Sequence, residues 1–162
     1  MIVLFLHGWG SGPEGKKPSF LRSHGLRVIT PELPDHDFEA SRDIAQQTFD
    51  EMQPAVVIGS SRGGAVAMNI ETGLVRLVLL CPAWKVWGAE TTVKAGTKIL
   101  HSPKDCVVPF QDSIELAANS GLPTTALIAT GIDHRLGDLE SLNRILLSVK
   151  GDLASKFPTN RK

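Results

Sequence analysis

The chain has 162 residues, 42% hydrophobic and 21% charged, which is ordinary for one globular domain with its own core. Its 17 basic and 17 acidic residues cancel, removing the global field that would draw nucleic acid or an anionic membrane, so neither is expected as a partner. Two cysteines, Cys81 and Cys106, make neither a CxxC pair nor a disulfide framework and are expected to be small, partly buried thiols near strand ends.

The first apolar run, Ile2–Leu6, is too short for a signal peptide or a membrane span and lacks a basic leader, so a soluble, cytoplasmic protein is expected. It reads as a strand. The glycine-flanked loop His7-Gly8-Trp9-Gly10 follows it, with His7 expected to shape the loop. Gly10 to Lys17 then nearly matches a phosphate-binding loop. Lys17, however, stands where a Ser or Thr would hold magnesium, and Pro13 and Gly15 are poor openers of a helix. Arg27–Thr30 is the second strand candidate, and His24 and His36 on either side are expected to be exposed. Ile44, Ala45, Thr48, Phe49 and Met52 share one side of a helix beginning near Ser41.

Ala55–Ile58 is the third strand, followed by Gly59-Ser60-Ser61-Arg62-Gly63 and the small-residue run Gly63–Ala67. A serine at a sharp strand-to-helix turn is held in a strained conformation with its hydroxyl exposed, and glycines two residues either side avoid a clash. The plain alternative is a glycine-rich turn capping a helix. Arg76–Leu80 and Thr97–Leu100 are the next strands, with Pro82–Gly96 between them. Asp105 follows in Lys104-Asp105-Cys106-Val107-Val108-Pro109. Phe110, Ile114, Ala117 and Ala118 then form a helical stripe stopped by Gly121. Thr125–Ala129 is the last strand, and Gly131-Ile132-Asp133-His134-Arg135-Leu136 follows it. Leu139, Leu142, Leu146 and Val149 make a final helix ending at Gly151, and the polar tail after Phe157 is expected to be disordered.

Unbroken Val/Ile/Leu runs alternating with amphipathic stretches predict an α/β fold. The expectation is a three-layer α/β/α sandwich on a mainly parallel sheet of about six strands, spanning residues 1–162 as one domain. Functional residues of such sheets gather at the carboxyl ends of strands. Ser61, Asp105 and His134 all follow strands, in the order nucleophile, acid, base. An imidazole that takes the serine proton and a carboxylate that orients the imidazole would complete a catalytic triad. Asp112, expected as an exposed residue of a first helical turn, and Asp133, too close in sequence to fold back on the ring, are the rival acids. His7 is the rival base, and His101 is read as structural. The backbone N–H groups of Trp9 and Arg62 are the candidate oxyanion donors.

Together these motifs resemble the α/β-hydrolase superfamily over nearly the whole chain. His-Gly-Trp-Gly is similar to its oxyanion loop, Gly59–Gly63 to its nucleophile elbow, Asp105-Cys-Val-Val-Pro to its acid turn and Asp-His-Arg-Leu to its histidine loop. The resemblance implies Ser61, Asp105 and His134 as triad and the Trp9 and Arg62 amides as oxyanion hole. It also implies that Ile2–Leu6 corresponds to the family's third strand, without the two leading edge strands. Ser102 stands where the family often has glycine. The fifteen residues Pro82–Gly96 are too few for a lid domain, so an open site is expected, with Trp84 and Trp87 as acyl-pocket walls.

The expected reaction is hydrolysis of a small carboxylic ester or thioester through an acyl-enzyme, with no cofactor and no metal. Amide or peptide hydrolysis, nucleotide binding at Gly10–Lys17, and a non-catalytic ligand-binding module on the same fold are the alternatives. A histidine base further predicts that activity falls on acidification.

Overall fold

The computed structural model of the chain describes residues 1–151, so the expectation for the tail after Phe157 lies outside the described residues. Six strands form one sheet: β1 (Ile2–Leu6), β2 (Arg27–Ile29), β3 (Val56–Ser60), β4 (Arg76–Leu80), β5 (Lys98–His101) and β6 (Leu127–Ala129). They lie in the order β2-β1-β3-β4-β5-β6, and every neighbouring pair is parallel. Five helices connect them: α1 (Lys16–Ser23), α2 (Phe38–Met52), α3 (Arg62–Met68), α4 (Phe110–Asn119) and α5 (Leu139–Lys150).

Strand alternation divides the core in two. Val3, Phe5, Ile58, Val78 and Leu100 face the layer of α1 and α5, where Leu21, Ile145 and Val149 meet them. Leu4, Leu6, Val57, Leu79 and Ile99 face α2, α3 and α4, against Ala45, Val66 and Leu116. Burial on both faces is why the strands carry unbroken apolar runs. The α/β/α layering and the parallel six-stranded sheet agree with the sequence reading.

Several boundaries move, each for a physical reason. β3 runs on to Ser60, because Gly59 and Ser60 stay in register with Leu79 and Leu80 of β4. β5 likewise reaches His101, which pairs with Ala129. β6 begins only at Leu127, after a 3-10 turn over Thr124–Ala126. α2 starts at Phe38 rather than near Ser41, because the Asp37 carboxylate accepts the Ala40 N–H at 2.9 Å and caps it. α1 forms despite Pro13 and Gly15; Gly15 is its extended N-cap, and Pro18 sits in the first turn, where no intrahelical N–H is lost. Two helical stripes are rotated. α4 buries Ser113 and Leu116 while Ile114 is exposed, and Leu139 lies outside the buried face of α5.

The order of strands reverses between β1 and β3. Loops leaving these two strands diverge to opposite faces and open a crevice, the usual place for a ligand in a sheet of this kind.

Candidate active site

Ser61 follows β3 with φ 55° and ψ −117°, a left-handed conformation that a non-glycine residue adopts only under constraint. The constraint is visible. Its N–H donates to Leu80 O at 2.8 Å, and its carbonyl accepts the Gly64 and Ala83 N–H groups. A Cβ at Gly59 would collide with Gly63 O and the Gly64 Cα, and one at Gly63 would enter the Leu6 and His7 carbonyls. Both glycines are therefore steric requirements of the turn, Gly63 chiefly because β1 lies beside it.

Three strand-end loops converge here. The Ser61 hydroxyl lies 3.0 Å from His134 Nε2, and His134 Nδ1 lies 2.6 Å from Asp105 Oδ2. Since the carboxylate can only accept, Nδ1 carries the proton and Nε2 is left to accept the serine O–H. The other carboxylate oxygen of Asp105 accepts the Val107 and Val108 N–H groups at 2.7 and 2.9 Å. Burial alone would raise the Asp105 pKa, but the bonds from His134, Val108 and Val107 outweigh it and hold the carboxyl below its usual range. The histidine loop is anchored by Leu136, fully buried at φ 49°. Ser102, at the position where glycine is common, donates its hydroxyl to Gly131 O at 2.9 Å and ties the acid loop to the histidine loop.

His101 does more than fill the core. Its ring is buried, with Nε2 3.0 Å from Val108 O and 3.1 Å from Asp105 Oδ2, and Nδ1 2.6 Å from Ser113 Oγ. Both neighbours of Nε2 are acceptors, so that nitrogen carries the proton and the Ser113 hydroxyl donates to Nδ1. Burial pushes the ring's pKa down, which keeps it neutral. The sequence marked His101 as structural; its link to Asp105 depends on the return of the acid loop over the strand end.

The rival residues are engaged elsewhere. His7 is buried, accepting the Leu33 N–H on Nε2 at 3.0 Å and facing Gly8 O with Nδ1, so it shapes the first loop as expected. Asp133 accepts the Arg135 N–H at 2.9 Å. Asp112 is half-buried rather than exposed and pairs with Lys85 at 3.2 Å. His24 is exposed, as expected; His36 is exposed too, but it packs edge-on against Trp9 with ring centres 5.0 Å apart.

Trp9 sits in the loop after β1, whose Gly10 N–H is held by the Asp35 carboxylate at 3.0 Å. Its indole is 50% exposed and stacks on Trp87. As the first helical residue of α3, Arg62 has no intrahelical acceptor for its N–H. Its guanidinium is buried between Phe38 and Trp87, bonded to Pro34 O at 2.8 Å, which pins the residue behind Ser61. Of the two expected pocket walls, Trp84 belongs to the core. It is 6% exposed and donates its indole N–H to Asp112 O. Trp87 supports Trp9 from behind rather than lining the cleft that holds Ser61.

The thiols also differ from expectation. Cys106 is exposed and Cys81 fully buried. The Cys81 sulfur, a carboxylate oxygen of Asp105 and a nitrogen of His134 lie within 4.8 Å of one another, a spacing a metal could use. Burial pushes the thiol pKa up, however, and the other two groups are already bonded to each other and to Ser61, so the donor set is poor.

A family model described as the alpha/beta hydrolase family matches residues 3–146. The chain belongs to the alpha/beta hydrolase family. Solved structures of the same fold include alpha/beta hydrolase domain-containing protein 10 from mouse, with 17% identity, 96% of this chain and 90% of that one covered and a TM-score of 0.74. A monoacylglycerol lipase from Paleococcus ferrophilus has 15% identity, with 92% and 94% covered and a TM-score of 0.72. Est1E from Butyrivibrio proteoclasticus has 15% identity, with 92% and 85% covered and a TM-score of 0.68. No curated protein matches the sequence. Between β4 and β5, where a lid would insert, no helix or strand is formed. Among the described residues no helix is long and apolar enough to cross a membrane.

Proposed function

We propose that this alpha/beta hydrolase is a serine hydrolase that cleaves a carboxylic ester or thioester through an acyl-enzyme. The observation that supports this best is the unbroken hydrogen-bonded chain Ser61–His134–Asp105, assembled from three strand ends.

Ser61 Oγ attacks the acyl carbon and its proton passes to His134 Nε2. Asp105, already bonded to Nδ1, stabilises the imidazolium that results. The carbonyl oxygen, now negative, accepts from the N–H groups of Trp9 and Arg62, with the positive end of α3 behind it. Nε2 then gives its proton to the departing alcohol or thiol, leaving the acyl group on Ser61. Water repeats the sequence: its proton goes to Nε2, its oxygen to the acyl carbon, and Ser61 recovers its proton as the carboxylic acid leaves. Two free thiols, one of them exposed, suit a reducing cytoplasm.

A fluorophosphonate probe tests this directly. Wild type should be labelled stoichiometrically and Ser61→Ala not at all. Equal labelling of the two would overturn the assignment.

A further inference from the structure

We infer that the cleft beside Ser61 contains an anion pocket, formed by Lys17 and the loop before α1, so that the substrate is an ester carrying a carboxylate or phosphate. The inference rests on the hydrolase reading and names its substrate class.

One cavity of about 810 Å³ runs from Ser61 and His134 to Gly12, Gly15, Lys16, Lys17 and Arg135. Lys17 is the notable group. Its ammonium donates to Arg135 O at 2.7 Å, and no carboxylate pairs with it among the described residues. Three donors with one fixed acceptor leave two for a ligand. Burial pushes the Lys17 pKa down, and the nearby Asp133 carboxylate offsets this only in part.

The acids around the cleft stay charged, with oxygens bonded to the protein's own donors. Asp138 caps α5, accepting the Ser141 N–H at 3.0 Å and its hydroxyl at 2.7 Å. Asp133 holds the Arg135 N–H, Asp35 holds the Gly10 N–H, and Glu14 is bridged to Arg22. Lys16, Lys17 and Arg135 line the cavity against Asp133 and Asp138, so its charge balance is positive.

The head of α1 adds to this. Its N-cap is Gly15, no side chain caps it, and Lys16 and Lys17, whose amides begin the helix, line the same cavity. Amides and dipole there favour an anion. The near-match to a phosphate loop is thereby explained: the stretch does follow a strand and open a helix. With Lys17 at the magnesium position, it suits an anion held by ammonium and amide rather than a metal nucleotide.

Matched esters test the inference. The first pair is 4-nitrophenyl hydrogen adipate against 4-nitrophenyl hexanoate; the second is the acetate ester of glycerol 3-phosphate against glycerol monoacetate. In at least one pair the anionic ester should have the higher kcat/KM, by about tenfold at low salt, the scale of a charged hydrogen bond. Lys17→Gln should bring that ratio near unity, Lys17→Arg should retain most of it, and added salt should reduce it. Which pair responds tells carboxylate from phosphate. Ratios at or below one in both pairs, or a ratio indifferent to Lys17→Gln, would overturn the pocket. If no ester is turned over and the probe does not label, the hydrolase reading has failed separately. Calorimetric titration of wild type and Lys17→Gln with adipate and with inorganic phosphate then decides the pocket: Lys17-dependent binding supports it and no binding overturns it.

Discussion

The loops after β5 and β1 both serve the cleft that holds Ser61, one from behind His134 and one along its wall, but they are built in opposite ways. After β5, His101, Ser102 and the Asp105 side chain are buried, and each is fixed by hydrogen bonds to side chains or backbone. After β1, Trp9 and the glycines beyond it face solvent, anchored mainly through His7 and Asp35. The difference separates two tasks. Orienting a charge needs a dry, over-determined pocket, where electrostatic interactions are strongest. Admitting a substrate needs a wall that is open yet has its backbone donors already set.

The sharpest way to break this comparison is to remove the groups where the two halves meet. Ser61→Ala or His134→Ala should each lower kcat for ester hydrolysis by roughly 10⁴–10⁶-fold, the scale known for protease triads. A loss under a hundredfold would show that the chemistry lies elsewhere. Asp105→Asn keeps the shape but cannot hold the required tautomer, and should cost about 10⁴-fold in kcat with little change in KM.

Acidity probes the buried half from another side. Because the Asp105 carboxyl is held below its usual range, its own protonation adds no second step above about pH 4, so kcat/KM should fall along a single acid limb. A lowered folded pKa also favours the folded state: that stabilisation is complete above the unfolded value of about 3.9 and lost as pH drops through the folded one. Urea midpoints of wild type and Asp105→Asn should therefore converge as pH falls below about 4.

His101→Phe sharpens the comparison further. It removes the N–H facing Asp105 and strands the Ser113 hydroxyl and Val108 carbonyl, so kcat should fall about tenfold with KM unchanged, and stability by about 1–3 kcal/mol. Trp9→Ala should have the smallest effect. In the proposed mechanism Trp9 acts through its amide, not its indole, so kcat should stay within about threefold, and stability should fall by roughly 0.5–1.5 kcal/mol from the lost stacking on Trp87.

Much of this was legible in the sequence because it is governed locally. Buried parallel strands advertise themselves as apolar runs, and a serine between spaced glycines after such a run implies a strained turn. Asp105 and His134 could be found because a parallel sheet sends its carboxyl-end loops to one rim. What the sequence hid depends on tertiary packing. Trp84 carries no mark that separates a pocket wall from a core residue. The contact of His101 with Asp105 needs the loop to turn back on itself. The α1 helix was obscured by Pro13 and Gly15, which lie before its first turn rather than within it.

The site also has a consequence for how the chain matures. The hydroxyl and the imidazole are contributed by residues 73 positions apart, and the imidazole and the carboxylate by residues 29 apart, on loops that align only after β3, β4, β5 and β6 have zipped together. Distant pairings of this sort are slow to assemble. During refolding, circular dichroism should therefore recover before hydrolase turnover, making enzymatic rate a reporter on the last step of assembly.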